Sequence, residues 1–229
     1  MSDFQIFWNR FTTPGTLQSV LTGLQNTAII AVFGLLLGFI IGSFFATVQI
    51  LPFNNLLVTV LKRVTDVYIA VFRGTPMMVQ LLLLHFAVFA GVKIPPVAEV
   101  SLIFGLNSSA YMAEIMRGGI NAVDKGQFEA GRSLGLSFPV TMVRIVLPQA
   151  VKNVVPTIGN EFISLLKETS IVSVIGLADL TRAFKAIADS TFEYFIPYIA
   201  LALIYFVLVL IITVIIKLIE RRLRKSEKR

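Results

Sequence analysis

The chain has 229 residues, of which 56% are hydrophobic and only 14% charged, with a mean hydropathy of +0.83. A soluble domain carries roughly 25% charged residues, so this composition excludes one and marks an integral membrane protein. The formal charge of +7 then belongs to membrane orientation, since nucleic-acid binding would want a soluble basic domain, and the lack of cysteine excludes disulfides and thiol-based metal or nucleophile chemistry.

Residues 1–16 contain Phe4, Ile6, Phe7, Trp8 and Phe11, which read as an interfacial segment with an aromatic anchor. Asp3, and the lack of an early basic region with a small-residue cleavage site, argue against a removed signal peptide. A spanning helix needs about 20 mostly apolar residues, and Val20 to Leu51 supplies the first. In it Gly34, Gly38 and Gly42 recur every four residues, extended by Ala46, and small residues permit close helix approach in lipid. Packing against a neighbouring helix is expected, in the same subunit or in another.

The second span, Val64 to Ala90, carries Asp66 and Arg73 and is broken by Arg73-Gly74-Thr75-Pro76. Proline removes a backbone donor and disfavours helix in the residue before it, so a discontinuous helix is predicted, with a plain proline kink as the alternative. Near the midplane, freed amides at Gly74 and Thr75 suit an anionic group such as a carboxylate. His85, the one histidine, reads as a satisfied core residue rather than a ligand. Pro95-Pro96 and, later, Pro197 punctuate external turns.

The third span, Val97 to Met116, carries Asn107, Tyr111 and Glu114 on one face, and the fourth, Val154 to Gly176, repeats Thr157, Asn160, Glu161, Ser164, Lys167 and Glu168 at three- and four-residue steps. Ionisable residues inside a membrane cost about 2.5 to 3.5 kcal/mol each and face a bundle interior or a watery cavity. Two helices thus offer polar faces to something central, unless pairs such as Glu114 with Arg117 or Lys167 with Glu168 merely satisfy each other. The fifth span, Ile196 to Ile219, with Leu201, Ile204, Leu208, Ile211 and Ile215, suits lipid contact.

Lysine and arginine gather on cytoplasmic flanks. The tail residues Arg221, Arg222, Arg224, Lys225, Lys228 and Arg229 fix the C-terminus inside, and five spans then put the N-terminus outside. That topology places Lys62, Arg63, Arg117, Lys125, Arg132, Arg144 and Lys152 inside, against only Arg10, Lys93, Arg182 and Lys185 outside. The chain divides into an interfacial segment 1–16, a transmembrane domain 17–220 with a cytoplasmic segment 121–150, and a basic tail 221–229, with no repeat or low-complexity tract. No G-x-x-x-x-G-K-[ST] phosphate loop, no H-E-x-x-H and no convincing nucleophile triad occurs, so the chain is not expected to be an enzyme.

The cytoplasmic segment carries the most specific pattern: Glu129-Ala130-Gly131, three residues, Gly135, nine residues, then Ile145-Val146-Leu147-Pro148. It resembles the EAA motif of ABC-importer membrane subunits, with Gly131 standing where a second alanine is usual. The simpler alternative is an amphipathic loop helix with a proline stop. Tyr68 to Gln80, Ala110 to Ile120 leading to Gly126-Gln127-Phe128-Glu129, and Leu165 to Ser170 further resemble polar amino-acid permeases of the histidine/glutamine/arginine type. The resemblance covers roughly Gln25 to the tail and implies an all-α type I ABC importer permease fold with a five-helix core.

It also implies a second permease copy or paralogue, an ABC ATP-binding subunit that uses ATP and Mg, an extracytoplasmic amino-acid-binding protein, and no cofactor bound by this chain. The location implied is the inner (cytoplasmic) membrane of a prokaryote, multi-pass. Glu129, Ala130, Gly131, Gly135, Leu136 and Pro148 are the expected ATPase-coupling residues. Gly74, Thr75, Tyr111, Asn160, Glu161 and Ser164 are the expected substrate-binding residues, for a polar or basic amino acid. An ion-coupled secondary amino-acid transporter would explain Glu114 and Glu161 but not the motif, and a membrane scaffold would need no polar interior.

Overall fold

The computed structural model describes residues 2–53 and 55–225; of the basic tail, Lys228 and Arg229 lie outside the described residues. Lipid offers backbone groups no partners, which favours helices, and all regular structure among the described residues is helical. The order is α1 (Asp3–Phe11), α2 (Pro14–Ile50), α3 (Leu56–Gly74), α4 (Met77–Leu83), α5 (Pro96–Asn121), α6 (Lys125–Ser133), α7 (Phe138–Thr141), α8 (Leu147–Glu168), α9 (Leu180–Thr191) and α10 (Phe195–Lys225). Wide π-type turns prolong α4 through Leu84–Val88 and join α7 to α8 through Met142–Val146, and a 3-10 turn, Thr169–Ile175, follows α8.

Helices α2 and α10 are each long and apolar enough to cross a bilayer alone, and α3 with α4 adds a third crossing if that pair, bent by 108°, counts as one span. The remaining long helices, α5 and α8, have 26 and 22 residues. At 1.5 Å per residue they reach about 39 and 33 Å, past the roughly 30 Å of hydrocarbon. Their polar stripes keep composition alone from marking them as spans.

The stripe of small residues on α2 packs within the chain, against α5. A Cβ on Gly34, Gly38 or Gly42 would lie 3.1, 2.7 and 2.5 Å from the Cβ atoms of Phe104, Ser108 and Met112, and one on Gly105 would lie 2.6 Å from Leu37 Cβ. Both helices therefore mesh in a four-residue register. Gly119, about two turns beyond Met112 on the same face of α5, lies against Val154 with no room for a side chain, which brings α8 onto α5 past the α2 contact. Ile30, Leu81, Val100, Ile103, Phe104, Leu165 and Val172 fill the space between these helices.

The first and last parts of the chain meet around α9. Phe7, Val20, Leu180, Phe184, Ile187 and Leu201 form one apolar cluster, with Ile204 packed on it. Leu201 and Ile204 thus depart from the lipid-facing expectation, whereas Ile211 and Ile215 are exposed. Helix α9 is pinned to α2 by Asn26 Nδ2 donating to the Ala178 carbonyl at 2.7 Å and by the Leu180 N–H donating to Thr27 Oγ1 at 3.3 Å. Asp179 caps α9 by accepting from the N–H groups of Thr181 and Arg182.

Candidate functional site

The interruption of the second expected span is a corner rather than a kink. Thr75 is extended at φ −123°, ψ 147°, the conformation a following proline imposes, and Pro76 caps α4 at φ −64°, ψ 138°. The corner leaves carbonyls at the end of α3 without helical partners. Gln80 takes them up: its Nε2 lies 2.8 Å from the Phe72 carbonyl, 3.0 Å from that of Thr75 and 2.7 Å from Thr75 Oγ1. Its Oε1 accepts from Asn107 Nδ2 at 2.7 Å, a buried bond that ties the corner to α5. Gly74 ends α3 and is exposed, with open space where a side chain would stand.

Helix α5 is the hub. Asn107 reaches Gln80, and one residue on, Ser108 Oγ donates to Glu161 Oε1 on α8 at 3.1 Å. One turn further, the Tyr111 ring lies under the Arg73 guanidinium, 5.7 Å from Cζ to centroid. Glu114 takes Arg117 in two bonds, at 3.2 and 2.7 Å, and stands 3.5 Å from Arg73 Nη1. The Glu114–Arg117 pairing is thus a local one. The corner and α8 are joined through Ser108 and Tyr111, which share a face at three-residue spacing. No bond among the described residues links Gly74 or Thr75 directly to Asn160, Glu161 or Ser164. Asn160 is exposed, Ser164 and Glu161 are half-buried, and the Asn160 and Ser164 side chains make no hydrogen bond among the described residues.

Ser108 and Gln80 carry contacts that the reading of the sequence did not single out. A serine between Asn107 and Tyr111 gives no sign of its partner until α8 is laid beside α5. His85 was read as satisfied, and it is, by Glu99: Nδ1 lies 2.6 Å from Oε1 of a carboxylate buried in the first turn of α5. Glu99 drew no notice because it falls at the edge of an apolar run.

The motif segment forms a helical hook. Asp124 caps α6 through the Gly126 N–H at 2.6 Å. At its end the Leu136 N–H donates to the Gly131 carbonyl at 3.0 Å and the Gly135 N–H to the Arg132 carbonyl at 2.9 Å, while Gly135 sits at φ +73°. That is a Schellman closure, in which glycine takes the left-handed position. Gly131, the departure from the usual alanine, is buried against α7, where a Cβ would stand 2.6 Å from Thr141 Cγ2 and 2.7 Å from its Oγ1.

Glu129 and Ala130 are exposed, Leu134 protrudes at the tip with 76% of its surface free, and Leu136 is half-buried. Pro148 stands where the wide turn Met142–Val146 passes into α8, so the helical bond its missing N–H would make is lost at that irregular turn. From Phe138 to Glu168 the backbone is helical without interruption. Ile120, Val123, Met142, Val146 and Ala150, with Phe128 and Phe138 packed on them, fasten the hook to α5 and α8.

Comparison with known proteins places this geometry. The arginine transport system permease protein ArtQ of Bacillus subtilis (strain 168) is 40% identical over 91% of this chain and 94% of its own length. A putative glutamine transport system permease protein, GlnP of Rickettsia bellii (strain RML369-C), is 42% identical over 71% of this chain and 76% of its own. The crystal structure of an amino acid ABC transporter with histidines shares 43% identity with a TM-score of 0.81 over 90% of this chain and 94% of that one. An inward-facing structure of the MetNI methionine ABC transporter shares the fold at a TM-score of 0.74 and 18% identity, over 93% and 99%. The model of binding-protein-dependent transport system inner membrane components matches residues 34–225, and the chain belongs to that family.

Proposed function

We propose that the chain is the permease subunit of an ATP-driven amino-acid importer. It forms the translocation path by alternating access with a second copy or a paralogue. A separate ATP-binding subunit hydrolyses ATP with Mg, and an extracytoplasmic binding protein delivers the amino acid. The observation that carries the reading is the hook of α6 and α7, closed by its caps and packed on α5 and α8. It presents Glu129, Ala130 and Leu134 outward, closes on Gly135, and continues through Pro148 into α8, the helix that bears Glu161.

The relatives named for arginine and glutamine support a polar or basic amino acid as substrate. Glu161 supplies a carboxylate for a cationic group, with Asn160, Ser164 and Tyr111 beside it in the path, and the corner at Gly74 and Thr75 turns the first amides of α4, rather than its own, toward the substrate carboxylate. The orientation follows from charge. The end of α2, the end of α5 and the hook share lining residues, and Lys62, Arg117, Lys125 and Arg144 gather at that end. Basic flanks favour the cytoplasmic side, which supports a C-terminus inside and, with five spans, an N-terminus outside in the proposed setting of a prokaryotic inner membrane.

Co-purification tests the coupling role. Glu129→Lys and Gly135→Val are expected to release the ATPase, or to leave it bound but unstimulated by substrate, while the permease stays folded. Normal assembly with substrate-stimulated hydrolysis and uptake in both variants would refute it.

A further inference from the structure

Between the second half of α2 and the continuous α7–α8 rod runs an apolar groove of about 630 Å³. Phe39 and Ala46 wall one side, Leu51 and Phe53 follow at the end of α2, and Val143 and Val151 wall the rod. Val155 and Ile158 carry it into a smaller apolar groove of about 240 Å³ against α10. Inside, the protons of the two hydroxyls are already spent: Ser43 Oγ donates to the Phe39 carbonyl at 2.6 Å and Thr47 Oγ1 to the Ser43 carbonyl at 2.8 Å. An anionic group, which needs donors, would find none there.

The rim at the hook end is cationic. Lys62 Nζ is held 2.7 Å from the carbonyl of the lining residue Leu51, which leaves two of its protons for another acceptor. On the opposite wall Arg144 is exposed and directly follows Val143. It lies three residues before Leu147, so it stands beside the Val143, Leu147, Val151 stripe that lines the groove.

We propose that this groove holds an acyl chain of an anionic phospholipid whose phosphate is taken by Lys62 and Arg144. Interiors leave few unfilled voids, and between two helices in a bilayer the filler at hand is an acyl chain. Basic clefts between transmembrane helices on the cytoplasmic side select anionic headgroups. The groove wall includes the rod that joins the hook to Glu161, so the lipid props the element through which the hook acts. The proposal rests on the reading of α2 and α8 as spans with this end cytoplasmic.

The test is photolabelling of the assembled transporter in mixed vesicles, with a photoreactive group on the acyl chain of either phosphatidylglycerol or phosphatidylcholine and the adducts mapped by mass spectrometry. Expected is several-fold enrichment of phosphatidylglycerol over phosphatidylcholine on residues 39–53 and 143–158. The exposed face of α10 away from the smaller groove, residues 203–211, should take both lipids alike. The doubly substituted Lys62→Gln, Arg144→Gln protein should lose the enrichment without losing α10 adducts, and Val151→Phe should lower groove labelling by both lipids. Equal labelling of groove and α10, enrichment that survives the double substitution, groove adducts undiminished by Val151→Phe, or a groove labelled by neither lipid because a protein neighbour fills it, would each overturn the proposal. Because labelling needs no transport, its failure is distinguishable from failure of the importer reading.

Discussion

At Gln80 one side-chain amide closes the corner of the second expected span and binds it to α5. Replacing it by leucine keeps the bulk but strands the Asn107 amide and the Phe72 and Thr75 carbonyls, and a buried unsatisfied group costs about 1–3 kcal/mol. Gln80→Leu is therefore expected to lower the thermal midpoint in detergent clearly, and an unchanged midpoint would show that the clamp is dispensable. Glu161 makes a different prediction. If its carboxylate meets a cationic substrate group, Glu161→Ala should raise the half-saturation concentration for uptake of a basic amino acid roughly tenfold or more, the worth of a charge-assisted bond. An unaltered half-saturation and substrate range would remove Glu161 from the site.

Asp179, outside the spans, has its carboxyl raised from the ordinary value of 3.8 by burial, against the pull of the Arg182 and Thr181 N–H bonds. A raised acid contributes stability below its ordinary value that is lost as pH climbs through the folded one. Asp179→Asn, an equally good cap, should flatten that slope in a pH series of melting curves. Of such details, polar residues in apolar runs were legible in advance, because membrane burial makes each one expensive. Their partners were not: Ser108 bonds Glu161 across 53 positions of chain.

Among the elements, the small-residue stripe of α2 could be read from its spacing, but spacing tells which face is small and never what lies opposite. The facing helix, α5, became known only when Gly34, Gly38 and Gly42 were seen against Phe104, Ser108 and Met112. The break after Gly74 was equally legible from Pro76, while the clamp at its 108° turn joins Gln80 to Asn107, 27 positions further along. Helix α9 went unseen because a twelve-residue amphipathic helix between spans resembles a loop with two basic residues.

In the hook, Gly131 was the doubtful position, and its reason is steric. Gly131→Ala should press on Thr141 and loosen the α6–α7 contact, and Thr141→Ala should relieve it, since the atoms at 2.6 and 2.7 Å are those that substitution removes. A double-mutant cycle on unfolding and on ATPase stimulation should give a favourable coupling; strict additivity would contradict the packing explanation. Gly135→Ala should cost about 1–2 kcal/mol for a left-handed alanine, felt as fraying of the end of α6 in hydrogen exchange.

For the whole molecule, contacts run in series from hook to rod, Glu161, Ser108 and α5, and from Asn107 and Tyr111 back to the corner. If an ATPase docks on α6 and α7 as proposed, its push would move α8 against α5 on the face that Ser108 and Tyr111 share. The all-helical membrane class was legible in the hydropathy, and the importer permease fold in the motif segments that resemble the family. An ion-driven carrier would also use half-buried carboxylates such as Glu114 and Glu161, yet it would leave the hook without a purpose. The direct measurement is radiolabelled amino-acid uptake into vesicles carrying this chain with its ATPase and binding protein, with internal ATP or with an imposed ion gradient alone. Uptake that needs ATP, ignores the gradient and disappears with Glu129→Lys is the expected result. Uptake driven by the gradient without ATP, or untouched by Glu129→Lys, would contradict it.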